Sequence, residues 1–190
     1  MRTDMKAAAE IGRQLQVSEA IIWSGMPKQG LLLRRGDLLL VPFSFLWGGF
    51  VLFWEWTVLT TGAPLFMALF GLPFVLVAVY LTFGRFVVDA WMRASTFYGL
   101  TNQRVILLSG MSARSVKSIS LIALDEVSVT EKKDRSGTIV FGRPHPFAQW
   151  YAGASWPGMS LFQPVMFESI PDAKRVHDQV LQAQRMATGR

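Results

Sequence analysis

Between residues 38 and 84 the chain runs for 47 positions with a single charged side chain, Glu55. That length exceeds any buried helix of a soluble domain of this size and divides into two apolar segments, 38–59 and 64–83. A helix rises about 1.5 Å per residue, so about 20 residues span a hydrocarbon core of about 30 Å. Only Thr60, Thr61, Gly62 and Ala63 separate the segments, a link that joins antiparallel neighbours. The stretch reads as a transmembrane helical hairpin, and the protein as an integral membrane protein.

Charge distribution sets the orientation. Of the 19 Lys and Arg, six precede residue 38 and thirteen follow residue 83. Arg34 and Arg35 stand just before the first span, Arg85 and Arg93 just after the second, and the link carries none. Basic residues flanking spans are retained on the cytoplasmic side. Both termini are therefore expected in the cytoplasm, in a multi-pass arrangement. The same bias accounts for the net charge of +6, so a nucleic-acid partner is not expected. With no cysteine there is no disulfide or thiolate chemistry.

Residues 1–37 are too interrupted by charge for a signal peptide. Ala8, Ile11, Leu15 and Ile22 recur at helical steps, which suggests a short amphipathic helix on the membrane or on the later domain; a loosely ordered tail is the other reading. Within the hairpin, Gly48, Gly49 and Gly71 permit close helix approach, and Pro42 and Pro73 interrupt backbone bonding. Trp54, Trp56 and Trp91 suit the interfacial belts. Glu55, about 26 Å along its helix, is read as an interfacial carboxylate; a proton or cation site is the alternative.

Beyond Arg85 the pattern changes. Residues 86–93 extend the second helix, and strand signals follow. Residues 96–100 and 104–108 flank Thr101-Asn102-Gln103 as a β-hairpin. Alternation at 118–121 and 127–130 marks half-buried strands. Lys132-Lys133-Asp134-Arg135-Ser136-Gly137 is a charged turn leading to a strand at 138–142, a further strand is expected at 164–167, and a helix from Pro171-Asp172 to about Met186. The organisation expected is a cytoplasmic segment 1–37, a hairpin with its extension 38–93, and a domain 94–190.

Three stretches carry a resemblance to the bacterial pleckstrin-homology-like membrane proteins. Trp23-Ser24-Gly25-Met26-Pro27 resembles their Trp-x-Gly-x-Pro segment. Tyr98-Gly99-Leu100-Thr101-Asn102-Gln103-Arg104 resembles their Tyr-x-Leu-Thr-Asn-x-Arg hairpin. Residues 137–142 and 167–172 match their late strand and final-helix entry. The resemblance implies a membrane α-helical hairpin followed by a PH-like domain, an antiparallel, partly open β-barrel capped by a C-terminal α-helix, in a bacterial inner membrane. It supplies no enzymatic activity and no cofactor.

Trp23, Gly25, Pro27, Tyr98, Thr101, Asn102 and Arg104 are read as structural, Asn102 because it tolerates positive φ and Arg104 because it can tie the turn to a carboxylate or carbonyls. The turn at 101–103 lacks the basic loop of phosphoinositide-binding PH domains, and the terminal helix lacks their tryptophan, which argues against specific inositol-phosphate recognition. The candidate contact residues are Lys132, Lys133, Arg135 and Arg143 for anionic headgroups, and the aromatics Trp150, Tyr151 and Trp156 for a protein or lipid partner. For the 143–163 segment two readings stand: an interaction surface, or rings that fill the barrel's open end. His145 and His177 lack metal-ligand spacing, and there is no P-loop or nucleophile elbow. The expectation is a non-enzymatic protein- or lipid-interaction module, with homo-oligomerisation open; the alternative is a small transporter component using Glu55.

Overall fold

The computed structural model describes residues 4–33, 36–110, 114–142 and 165–189. The chain divides into two compact units. Leu31–Asp89 forms one, and the residues up to Gly30 join those from Ala90 onward in the other.

The first unit is the hairpin. Helix α2 (Asp37–Thr60) and helix α3 (Leu65–Val79) are linked by a turn in which Gly62 takes a φ of 70°. Glycine reaches that left-handed region at no steric cost. The second helix continues without a break to Ala94, through a π-helical turn (Tyr80–Gly84) and helix α4 (Arg85–Ala94). Both helices are long and apolar enough to cross a membrane. Within them α2 and α3 are apolar around their whole circumference, unlike the one-sided helix of a soluble surface. Phe45, Phe53, Phe66 and Phe70 accordingly point outward. Where the two helices meet, small residues take the contact: a Cβ on Gly48 would lie 3.8 Å from Ala78 Cβ. Thr57 and Thr82 donate to the carbonyls of Phe53 and Ala78 at 2.9 and 2.8 Å, so these hydroxyls are satisfied within their own helices.

Among its described residues the second unit holds seven strands and two helices. Strands β1 (Ile21–Gly25), β2 (Phe97–Thr101), β3 (Arg104–Ser109) and β4 (Ser115–Ser120) form one antiparallel sheet in that order. Strands β5 (Val127–Glu131), β6 (Gly137–Phe141) and β7 (Met166–Ile170) form the other. Among the described residues no ladder joins the sheets, so the barrel is not closed. Helix α5 (Ala173–Thr188) supplies Ala173, Val176, Val180 and Ala183 to the core between them.

Phe167 on β7 is the centre of that core. It is fully buried, stacks on Tyr98 at 4.8 Å, meets Phe141 edge-on at 4.9 Å and lies 5.5 Å from the tilted ring of Trp23. Such aromatic pairs each contribute about 0.5–1.5 kcal/mol beyond the area they bury. The outer face of the first sheet carries a second, smaller core. Helix α1 (Met5–Gly12) lays Ala7 and Ile11 on Phe97, Ile106 and Leu108. Every residue of β2 is buried as a result, because both faces of that strand are covered.

Three expectations need correction. The N-terminal helix ends at Gly12, and Ile22 lies in β1. The apolar periodicity ran together two elements that pack on the same sheet, because β1 contributes Ile21 to the outer core alongside α1. The domain does not begin at residue 94: its first strand and covering helix come before the hairpin, in the segment expected to be separate. Leu121 is in a 3₁₀ turn (Leu121–Ala123), so β4 occupies the residues just before it, and β7 starts two residues later than the strand expected at 164–167.

Replacing Phe167 with Ala removes the ring shared by three aromatic contacts and leaves a large cavity. The expected loss is about 3–5 kcal/mol in thermal or denaturant unfolding of the solubilised protein, and Phe167→Leu should recover part of it. Equal stability of the alanine variant and the parent would contradict this account of the core.

Candidate functional site

The Thr101–Arg104 turn between β2 and β3 is organised by a carboxylate from before the hairpin. Glu19 lies 85 residues from Arg104, and the two side chains pair twice: Arg104 Nε donates to Glu19 Oε1 at 2.9 Å and Nη2 to Oε2 at 3.0 Å. Thr101 Oγ1 donates to Oε1 at 2.7 Å, and the Gln16 backbone N–H to Oε2 at 2.8 Å. The same threonine oxygen accepts the N–H groups of Gln103 and Arg104 at 3.2 and 3.0 Å, closing the turn. Asn102 fixes Ala20 in both directions: its Oδ1 accepts the Ala20 N–H at 2.9 Å and its own N–H donates to the Ala20 carbonyl at 3.1 Å. Arg104 Nη2 also reaches the Gln14 carbonyl at 2.8 Å.

Glu19 is 8% exposed. Burial pushes its carboxyl up, but the hydrogen bonds from Arg104, Gln16 and Thr101 outweigh that and hold it below the ordinary glutamate range. Thr101, Asn102 and Arg104 thus bind the chain before the hairpin to the turn after it, with no part of the cluster directed at an open cleft.

The Trp23-Gly25-Pro27 segment is equally internal. The Trp23 indole folds back over Gly25, where a Cβ would lie 2.5 Å from the ring, and Pro27 is fully buried. The Tyr98 hydroxyl accepts the Glu168 N–H at 3.1 Å, which locks the Tyr98 ring on Phe167. At the base of the domain Arg93, 5% exposed, donates to the Lys28 and Gly30 carbonyls at 2.5 and 2.6 Å, while Gln29 Nε2 donates to the Arg93 carbonyl at 3.3 Å. The chain leaves this unit at Gly30 and returns at Ala90, so Arg93 staples the two crossings together.

The exposed candidates lie elsewhere. Lys132, Lys133 and Arg135 occupy the β5–β6 turn with their side chains in solvent. The turn is well defined: Asp134 Oδ1 accepts from Ser136 Oγ at 2.6 Å, and Asp134 Oδ2 pairs with Lys28 Nζ at 3.0 Å. The Ser136 hydroxyl and then Lys28 draw the Asp134 carboxyl down to about 2. The Arg135 carbonyl accepts the N–H of Ala173, which joins the turn to the start of α5. Arg143, Trp150, Tyr151 and Trp156 lie outside the described residues. His177 is half-buried, with Nε2 3.4 Å from the Val127 carbonyl. Among the described residues no group of three or more His, Asp or Glu is placed to hold a metal ion.

In the hairpin, Glu55 turns toward α3. Its Oε2 is buried without a hydrogen-bond partner against Gly71, where a Cβ would lie well inside van der Waals contact. Sequence reading missed Glu19 and the clamping role of Arg93. Neither had a local signal, since the side-chain partners of Glu19 are more than 80 residues away and Arg93 resembles any basic residue beside an apolar helix.

Removing the Glu19 charge leaves Arg104 without its counter-ion in a mostly buried site. Glu19→Gln is expected to lower stability by about 3 kcal/mol near neutral pH. Because the folded-state carboxyl titrates below its unfolded value, its contribution is present above about pH 4.5 and lost as pH falls through the folded value. Unfolding curves at stepped pH should show the variant and parent converging in acid; a constant difference down to the acid limit would count against the pairing.

The sequence profile of the Bacterial PH domain family matches residues 57–184, more than half of the chain. No curated protein and no solved structure matches. The matched span begins within α2 and runs through six of the seven strands and most of α5, leaving out only β1 and α1 of the domain just described. With the two antiparallel sheets and the C-terminal helix in place, the chain belongs to the bacterial PH-domain family.

Proposed function

We propose that this protein is a non-enzymatic interaction module anchored in the bacterial inner membrane, presenting its PH-like domain at the cytoplasmic surface. The observation that carries the reading is the pairing of β1 with β2. Ile21, Trp23, Ser24 and Gly25 pair with Thr101, Leu100, Gly99 and Tyr98, and the whole hairpin lies between the two strands in sequence. If α2 and the Leu65–Ala94 helix cross a bilayer, strands that share a ladder must emerge on the same side. An even number of spans satisfies this, and the basic residues on both legs assign that side to the cytoplasm.

Tethering raises the local concentration of the domain at the bilayer, so weak contacts become effective. The contacts proposed are the aromatics Trp150, Tyr151 and Trp156, with Arg143 and the exposed Lys132, Lys133 and Arg135 turn as electrostatic support toward anionic headgroups or an acidic partner. A protein partner, including a second copy of the chain, fits the same surface. Support for a second reading, a small transport component, comes from Glu55, whose unpartnered carboxylate oxygen faces the neighbouring helix. An intramembrane carboxylate is a transport candidate in its own right. Under that reading Glu55→Gln abolishes ion flux in proteoliposomes, whereas the module reading predicts no flux to abolish.

The absence of native cysteine makes the topology directly testable. A cysteine placed at Thr61 should react with an impermeant thiol reagent added outside intact cells, and one placed at Lys133 only after permeabilisation. The opposite pattern would overturn the orientation. Crosslinking from native membranes should then recover fewer partners with Lys132, Lys133 and Arg135 all changed to Ala; unchanged recovery would remove this turn from the contact surface.

A further inference from the structure

The base of the hairpin carries a set of polar donors that the hairpin itself does not satisfy. Arg85 opens α4, and its Nη1 pairs with Asp37 at 3.0 Å, the two side chains being 11% and 10% exposed. Its Nε and Nη2 are shielded from solvent and have no hydrogen-bond acceptor. These two nitrogens form one edge of the guanidinium, the fork that receives two oxygens of a phosphate or carboxylate side by side. Arginine remains charged under all ordinary conditions, so the unpaired edge cannot be relieved by losing a proton. The Phe86 ring, 4.5 Å from the guanidinium carbon, further restricts the plane of the group.

A second unpartnered group lies five residues earlier on the same helix. The Tyr80 hydroxyl is likewise buried without a partner. Tyr80 and Arg85 are the two ends of the π-helical turn, in which the Arg85 N–H donates to the Tyr80 carbonyl five residues back. The Tyr80 ring lies against Gly84, where a Cβ would come within 2.9 Å of Cδ2. Single π turns recur at functional sites because they rotate side chains out of the regular helical register. Here the turn carries an unpartnered phenol at its first residue and is followed directly by a half-paired guanidinium.

The depth of the cluster indicates its ligand. Arg85 is 20 residues beyond Leu65, about 30 Å at helical rise, and Asp37 is the first residue of α2. In a bilayer that is the level of the lipid phosphates. By sequence the two legs carry Arg34, Arg35 and Arg85 against Asp37 and Asp89, an excess of one positive charge that favours an anion. We infer that the Nε–Nη2 edge of Arg85, supported by the Tyr80 hydroxyl, binds a phosphate group, and that in the membrane this is the phosphate of a lipid headgroup. Asp37 acts as a positioning residue, holding the far side of the guanidinium. The inference rests on the proposal that the hairpin spans the bilayer.

The test uses the full chain reconstituted in phosphatidylcholine vesicles containing phosphatidylglycerol. After mild detergent extraction, native mass spectrometry reads the phosphatidylglycerol retained per protein. Arg85→Lys keeps the charge and the bond to Asp37 but lacks the fork, and should lower retention about tenfold. Tyr80→Phe removes only an oxygen that the protein leaves unpartnered, so it should preserve the fold and lower retention several-fold. Added inorganic phosphate should not compete. Unchanged retention in both variants overturns the site. Displacement by inorganic phosphate assigns the fork to a soluble phosphate and overturns the lipid assignment. Loss of the wild-type protein from vesicles in an alkaline carbonate wash would defeat the membrane reading itself, an outcome separate from these.

Discussion

The ladder between β1 and β2 is the constraint on which the rest of the structure depends. It joins residues on either side of a hairpin about 60 residues long, so the domain is assembled from two pieces of chain that the hairpin separates. Bringing such distant segments together costs loop-closure entropy, which rises only slowly with loop length and is reduced when the intervening chain is itself a compact antiparallel pair. Complete burial of β2 on both faces and the Arg93 staple between the two crossings supply the compensating contacts. The hairpin is therefore an insertion inside a domain, and not an anchor placed before one.

The same constraint explains the most family-like residues. Thr101, Asn102 and Arg104 all contact the segment around Glu19 and Ala20, the chain that enters β1. Trp23 and Tyr98 meet on Phe167, so the two halves of the domain and the last strand share one aromatic cluster. These motif residues are committed to holding the insertion closed. Their chemistry is internal, whereas the basic β5–β6 turn lies on the surface. That turn is held from beneath by Asp134, whose carboxylate engages Ser136 and Lys28 while the three basic side chains point into solvent.

The hairpin follows a different rule. Its helices are apolar on all sides, and where polar groups occur they either bond back to their own helix, as Thr57 and Thr82 do, or lie at the contact between the helices. Among the described residues the groups left over are Glu55 near one end, Tyr80 and Arg85 near the other, and the Trp47 indole N–H between them. In an apolar medium an unmatched polar group is costly, so each one marks a place where something besides the hairpin has to contribute.

The two apolar helices, the β2–β3 hairpin, the β5–β6 pair and the terminal helix were all legible in the sequence. Each is specified by a local pattern, whether unbroken hydropathy, alternation about a turn, or an amphipathic run after proline and an acid. Element ends were less legible, because the α5 start at Ala173 follows Asp172 in a left-handed conformation that no spacing reveals. The order of the sheet was not legible at all. Ile21 to Gly25 is five residues with no alternation of its own, and it becomes a strand only because β2 offers an edge and the Trp23 ring has a place on Phe167. Glu19 likewise became a structural ion only when the fold brought Arg104 to it. Local pattern determines which segments are helix or strand; pairing between distant segments, whose free energy lies in contacts that sequence separation hides, decided that the apolar hairpin interrupts the domain.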